Sequence, residues 1–164
     1  MNITIRVMQP NDWPEVQAIY REGIKTGQAT FDQQPPNDWY LCSKQHLPVG
    51  RWVALLKEQV LGWVMLTPIS SRCAYQGVAE VSIYVSEIAR GQKVGSTLFS
   101  KLIEDTEKHR IWMLQSHIFP ENTVSIGLHR KMGFREVGVR EKIGQHFGRW
   151  RDVLLMERRS QNIY

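Results

Sequence analysis

The chain has 164 residues, 42% of them hydrophobic and 23% charged, and a formal net charge of +5. These values are ordinary for a soluble globular protein and suit one domain with a sizeable core. The basic balance admits nucleic acid, an acidic membrane surface or a polyanionic small ligand without choosing among them. The two cysteines, Cys42 and Cys73, form no CxxC pair, and reduced thiols in a cytoplasmic protein are expected. Cys42 and His46 have i, i+4 spacing but no second ligand pair nearby, so no metal site is expected. The segment MNITIRVMQP lacks the apolar centre of a signal peptide, and no apolar run is long enough to span a bilayer.

Ile3 to Val7 alternate apolar and polar, as a half-buried strand does. Asn11 or Asp12 can cap a helix with Pro14 in its first turn, and Val16, Ile19, Tyr20 and Ile24 recur at helical spacing. Thr30 to Pro36 reads as a loop, and a short helix follows near Asp38 to His46. Trp52–Leu56 and Val60–Leu66 form a hairpin across Lys57-Glu58-Gln59, and Pro68 to Gly77 is a loop. Val78–Val85 is a strand that runs into a polar, glycine-bearing turn over residues 86–95. An amphipathic helix begins there, with Val94, Leu98, Leu102 and Ile103 on one face and Lys101, Glu104, Asp105 and Lys108 opposite. Ile111–Ile118 is a strand. Pro120-Glu121-Asn122 opens a helix that Gly133 closes as a left-handed cap. Phe134–Ile143 and Trp150–Glu157 are two more strands. The order describes an α/β or α+β fold on one mixed sheet, without the regular alternation of a Rossmann domain.

The turn after Val85 carries the most chemistry. Where a strand hands over to a helix, several N–H groups lack intrahelical partners and the helix dipole adds positive potential. Glycine permits close approach, and Arg90 and Lys93 add whole charges, which together make a pyrophosphate cradle. A plain strand-to-helix turn with solvated basic residues has the same local signature. The glycine spacing is one short of a Walker loop, and no G-x-G opens a dinucleotide fingerprint.

Arg90-x-x-Lys93-x-Gly95 resembles the acetyl-CoA turn of the GNAT superfamily, Q/R-x-x-G-x-G/A, with Lys93 at the first glycine position. Asn122-Thr-Val-Ser125-Ile-Gly-Leu128-His129-Arg-Lys-Met-Gly133-Phe134 is similar to its second signature. Thr30-Phe31 with Pro35-Pro36, Arg72-x-Ala74-Tyr75, Ala79 to Val85 and Phe147-Gly148-Arg149-Trp150-x-Asp152-Val153 narrow the resemblance to the phosphinothricin and methionine sulfone/sulfoximine N-acetyltransferases. It covers nearly the whole chain. It implies one acetyltransferase domain over residues 1–164, a mostly antiparallel sheet of about seven strands splayed in the middle, and acetyl-CoA as co-substrate without a metal. A small amine or amino-acid acceptor and a homodimer are implied too, with no nucleic acid or membrane partner.

The resemblance implies that Arg90, Gly91, Gln92, Lys93, Val94, Gly95 and Ser96 hold the pyrophosphate. Ile83, Tyr84 and Val85 pair with the pantetheine arm, and Asn122 and Ser125 bond the coenzyme. If the turn needs positive φ at Lys93, that residue costs roughly 1 kcal/mol there. Glu80 shares a strand face with Ser82 and Tyr84 and is the candidate general base, its pKa expected to be raised by a partly buried cleft. A salt-bridged strand-edge glutamate is its other reading. His129 stands where many GNAT enzymes have a tyrosine that protonates the thiolate of CoA, and a buried structural histidine fits the same position. For the acceptor, Arg72 could clamp a carboxylate, beside Ser70 and Ser71 of the same loop, or be a solvated loop arginine. Phe31, Tyr75 and Trp150 could wall an apolar pocket, and Val81 and Ser82 would line it with Glu80. A protein N-terminus or a polyamine is the alternative acceptor. A nucleic-acid-binding or acetyl-CoA-sensing module resting on Arg149, Arg151, Arg158 and Arg159 is the alternative class.

Overall fold

The computed structural model describes residues 2–164. Seven strands form one sheet: β1 (Ile3–Val7), β2 (Trp52–Leu56), β3 (Gln59–Pro68), β4 (Val78–Val85), β5 (Met113–Ile118), β6 (Arg135–His146) and β7 (Arg149–Arg159). The helices are α1 (Trp13–Lys25), α2 (Trp39–Gln45), α3 (Val94–Lys108) and α4 (Thr123–Lys131). The spatial order is β1-β2-β3-β4-β5-β7-β6, and every pairing is antiparallel except β4 with β5. That parallel pair needs a crossover, which α3 provides.

Helix α3 buries Val94, Leu98, Phe99 and Leu102 against one sheet face, where Val64, Leu66, Leu114 and Met156 join them. Fully burying a leucine of this kind contributes about 1.5–3 kcal/mol. Its outer face carries Lys101 and Lys108 on Glu104, at 3.2 and 2.5 Å. Helix α1 covers the other face with Val16 and Ile19 over Trp63 and Met65. A side chain at Gly23 would put its Cβ 2.6 Å from the ring of Tyr84, so the helix lies directly on β4.

Three local details differ from the sequence reading. Asp12 precedes α1 without capping it: its carboxylate takes both ends of the Arg6 guanidinium at 2.8 Å and the Gln9 N–H at 2.6 Å. Strand β5 begins at Met113, because the N–H groups of Trp112 and Met113 both go to the Gly77 carbonyl. Strand β6 runs on to His146 through a bulge: Arg140 pairs with Val153 and Gly144 with Arg151, leaving three residues opposite Asp152 alone. Within that bulge Lys142 sits at φ 50, its N–H held by the Asp152 carboxylate at 2.8 Å.

One feature of the sheet positions the site. β4 and β5 pair only at Val78–Met113, Ala79–Leu114 and Glu80–Gln115. Beyond Glu80 the two strands part, and the β4 edge from Val81 to Val85 is left without a partner on that side.

Candidate active site

The opening between β4 and β5 is the floor of a cleft of about 870 Å³ that runs from Glu80 to Arg90 in the turn before α3, with Gly91 to Ser96 just outside its lining. At the turn, Gly91 has φ +75 and Lys93 has φ 64, so the left-handed geometry anticipated at Lys93 is present. Thr97 donates the first helical bond, to the Lys93 carbonyl at 3.0 Å. Ahead of it, the N–H groups of Lys93, Val94, Gly95 and Ser96 have no acceptor among the described residues. Four donors in sequence at a helix start form an anion seat. The Ser96 hydroxyl is committed to the Lys93 carbonyl at 3.0 Å, and Gln92 folds back on the Ile88 carbonyl, so the backbone provides the seat. A Cβ at Gly95 would lie 3.0 Å from Leu128 of α4 and 3.7 Å from Val85, and its glycine keeps the helix close to both. Arg90 lines the cleft and is joined to Glu87 only by an exposed 3.9 Å contact.

Ile83, Tyr84 and Val85 line the cleft along the unpaired β4 edge. The Tyr84 ring stacks on Trp63 at 4.8 Å and meets Tyr20 at 4.8 Å. Tyr20 in turn donates to the Asp32 carboxylate. Burial pushes the hydroxyls of Tyr20 and Tyr84 upward, so both stay neutral donors. With its ring packed under α1, Tyr84 has only its backbone to offer a ligand arm.

Glu80 lies at the vertex where the strands part. It shares its face with Ser82 and Tyr84, as expected, and all three line the cleft together with Val81. Its carboxylate bonds His117 of β5 and accepts from Gln115 at 3.3 Å. The expectation of a raised pKa is corrected here. Burial acts to raise it, but the hydrogen bond and charge of His117, with the Gln115 donor, hold the carboxyl below its ordinary value. His117 went unnoticed in the sequence. Its signal is the two-residue alternation Gln115–His117–Phe119, which becomes meaningful only once β5 is known to lie beside Glu80.

His129 also departs from expectation. It is 2% exposed, and its Nδ1 donates to the Ser125 carbonyl at 2.7 Å while its Nε2 accepts from the Ser116 hydroxyl at 2.8 Å. Burial pushes its pKa down, so a neutral ring with both nitrogens engaged fastens α4 to β5. It has no N–H left to give a thiolate directly. The Asn122 side chain caps α4 through the Ser125 N–H at 3.2 Å and donates to the Gln28 carbonyl at 3.2 Å, which ties the loop over residues 26–32 to the cleft wall. Ser125 also lines the cleft, its hydroxyl 3.4 Å from His129 Nδ1.

The acceptor residues divide. Phe31 lines the cleft, edge-on to Phe119 at 4.9 Å, and a Cβ at Gly144 would approach its ring to 3.1 Å. Arg151 holds this wall with bonds to the Gly27 carbonyl at 2.5 Å and the Gln28 amide oxygen at 2.8 Å. Ser70, Ser71, Arg72, Tyr75 and Trp150 do not line the cleft. The Ser70 hydroxyl closes a local turn onto the Arg72 N–H, and the Arg72 guanidinium lies 5.6 Å from the Tyr75 ring in solvent. Trp150 is 60% exposed. The carboxylate clamp and two of the three aromatic walls are therefore corrected: Arg72, Tyr75 and Trp150 stand clear of this cleft. Of the basic tail, Arg151 pairs with Glu121 at 3.2 Å and Arg158 with Glu107 at 3.6 Å, so part of its charge is spent internally.

Among the described residues no three His, Cys, Asp or Glu side chains converge to hold a metal ion, and no helix is long and apolar enough to cross a membrane.

An open seven-stranded sheet whose parallel strands β4 and β5 splay beyond Glu80 is the fold the GNAT resemblance implied. Residues 13–134 match the model of the acetyltransferase (GNAT) family. The chain belongs to that family. It is an acetyltransferase built on the α/β GNAT fold. It is 37% identical over 161 residues to the phosphinothricin N-acetyltransferase of Alcaligenes faecalis, covering 94% of this chain and 81% of that one. It is similar to the ribosomal-protein-alanine N-acetyltransferase of Brucella melitensis, with a TM-score of 0.88 and 30% identity over 96% of this chain and 99% of that one. It also resembles a phosphinothricin acetyltransferase of Sinorhizobium meliloti solved in complex with acetyl-CoA, with a TM-score of 0.85 and 28% identity over 100% and 96%.

Proposed function

We propose that the whole chain acts as one N-acetyltransferase domain that moves an acetyl group from acetyl-CoA to the amine of a small amino-acid-like acceptor, of the phosphinothricin or methionine sulfone type, with Glu80 as general base. One observation carries this reading: the strands part at Glu80, and a single cleft runs from its carboxylate to Arg90, in the turn whose next residues carry four free N–H groups. The seat suits a diphosphate, and the β4 edge from Ile83 to Val85 suits an arm that carries two amides.

Bound acetyl-CoA would supply the activated acetyl group. The chain's own part is to align and deprotonate. The free N–H groups from Lys93 to Ser96, with the charges of Arg90 and Lys93, anchor the diphosphate. A β4 N–H near Ile83 polarises the thioester carbonyl. A proton leaves the acceptor ammonium for the Glu80 carboxylate, directly or through one water, and is shared with His117. The freed nitrogen lone pair then forms the new C–N bond, the C–S bond breaks, and the second proton lost by the nitrogen neutralises the departing thiolate, directly or through water. A carboxylate held below its ordinary value by His117 is ready for this step at neutral pH.

The test is acetyl-CoA-dependent thiol release over amino acids and their oxidised analogues. Release with phosphinothricin, methionine sulfone or methionine sulfoximine is expected. The likeness to a ribosomal-protein-alanine enzyme favours a second reading, an N-terminal peptide as acceptor. Turnover of alanine-starting peptides with none of the amino acids would replace the first reading by the second. We further propose a homodimer, supported by the exposed apolar side chains Val137, Val139 and Ile143 along edge strand β6. Sedimentation at micromolar concentration checks it, with a monomer as the opposing result.

A further inference from the structure

With Arg72 in solvent and clear of the coenzyme cleft, the acceptor's acid group needs another counter-charge, and a second cavity on the same sheet face offers one. This cavity, of about 400 Å³, is bordered by Thr67, Pro68 and Ile69 at the end of β3 and by Glu80, Gln115, His117 and Arg140 from β4, β5 and β6. Glu80 and His117 line both cavities, so the proton-accepting pair is the partition between the coenzyme cleft and this second space. Their common face follows from the ladders. Thr67, Glu80 and Gln115 stand in register across β3, β4 and β5. His117 lies two residues beyond Gln115, opposite Leu155, and Arg140 stands opposite Val153, two residues before Leu155. Residues two apart on a strand share a face, so Arg140 reaches toward His117 from β6.

Two features bear on Arg140. Like Arg72, Arg149 and several other arginines it has no carboxylate within 4.0 Å among the described residues, but alone among these it borders the cavity that Glu80 and His117 line. It is also the last paired residue before the β6 bulge, which Lys142 in left-handed geometry and the Asp152 carboxylate hold in place. Bulges beside a site re-aim the side chains next to them. An α-amino acid carries its carboxylate on the carbon that bears the nitrogen. A base pair and an unpaired guanidinium bordering one small cavity therefore match an α-amino acid, and match a simple amine or polyamine poorly. We propose that Arg140 binds the acceptor's α-carboxylate in this second cavity and so selects amino acids over plain amines. The proposal rests on the acetyltransferase reading above and deepens it by naming the specificity residue.

The experiment compares methionine sulfone with its decarboxylated counterpart, 3-(methylsulfonyl)propylamine, at saturating acetyl-CoA. The readout is the ratio of their KM values in the wild type, R140Q, R140K and R72A. The ratio (amino acid over amine) is expected to rise about tenfold or more in R140Q, because a charge-assisted, bidentate contact is lost. It should recover in part in R140K and stay within about twofold of wild type in R72A. An unchanged ratio in R140Q, or the full shift appearing in R72A, overturns the proposal. Thermal unfolding and acetyl-CoA calorimetry establish that each variant is folded. R140M, which keeps the aliphatic stem, carries the comparison if R140Q is not. A wild-type protein that acetylates neither compound, and no other amino acid, fails the functional reading before any variant is compared. A wild type that turns over both, with a ratio indifferent to Arg140, fails this proposal alone.

Discussion

Two polar loops flank β4, and only one of them reaches the coenzyme cleft. The turn over residues 86–93 follows the strand, and the loop over residues 69–77 precedes it. Both carry glycine and arginine, and both matched family motifs in sequence. The difference lies in the strand's partners at each end. At its start, β4 is paired on both sides, with β3 and β5, so the loop entering it stays off the cleft and meets only the smaller cavity, through Ile69. At its end, β5 has diverged, and the turn leaving it looks into the cleft. A loop motif gains chemical meaning from the sheet edge beside it, and a sequence does not display which edge is open.

The largest effect expected on this contrast is at the vertex. Glu80→Gln should lower kcat by about 100-fold or more, the span usual for a general base, with acetyl-CoA affinity in calorimetry within about twofold of wild type. A rate near wild type from pH 6 to 9 would remove Glu80 from the chemistry. Next is the turn itself. Gly95→Trp drives a side chain into Leu128 and Val85, and acetyl-CoA binding should weaken by more than about tenfold in a protein of normal circular dichroism. Unchanged affinity would show that the anion seat lies elsewhere.

Two smaller effects concern stability. Glu80 is held below its ordinary value of 4.5 in the folded state, so it contributes stability that is fully present above that value and lost as the pH falls through the lower folded value. The melting temperature of wild type should therefore drop more steeply than that of Glu80→Gln below pH 4.5, and parallel curves would contradict the depressed pKa. Lys93→Gly relieves a left-handed lysine, worth about 1–2 kcal/mol, and loses part of this to chain entropy. Urea unfolding should show a net gain of about 0.5–1 kcal/mol, and reduced acetyl-CoA affinity in the same variant would assign the Lys93 ammonium to the diphosphate.

The amino-acid sequence by itself determined what depends on neighbours along the chain. The 3.6-residue spacing of Val94, Leu98 and Leu102 specified α3, the alternation of Val78–Val85 specified β4, and Gly133 closed α4. The motif glycine replaced by Lys93 announced the strained turn, and the face shared by Glu80, Ser82 and Tyr84 followed from strand period alone. What the tertiary structure decided are contacts between segments far apart in sequence. His117 meets Glu80 across 37 positions because a crossover helix lays β5 beside β4, and that contact reverses the direction of the carboxyl's pKa shift. His129 reads as a proton donor until Ser116 occupies its second nitrogen. Arg72 and Arg140 are equivalent as letters, and only the splay and the β6 bulge separate a guanidinium in solvent from one bordering a cavity. Periodicity encodes which face a residue takes, whereas charge, proton affinity and access depend on what the fold brings opposite it.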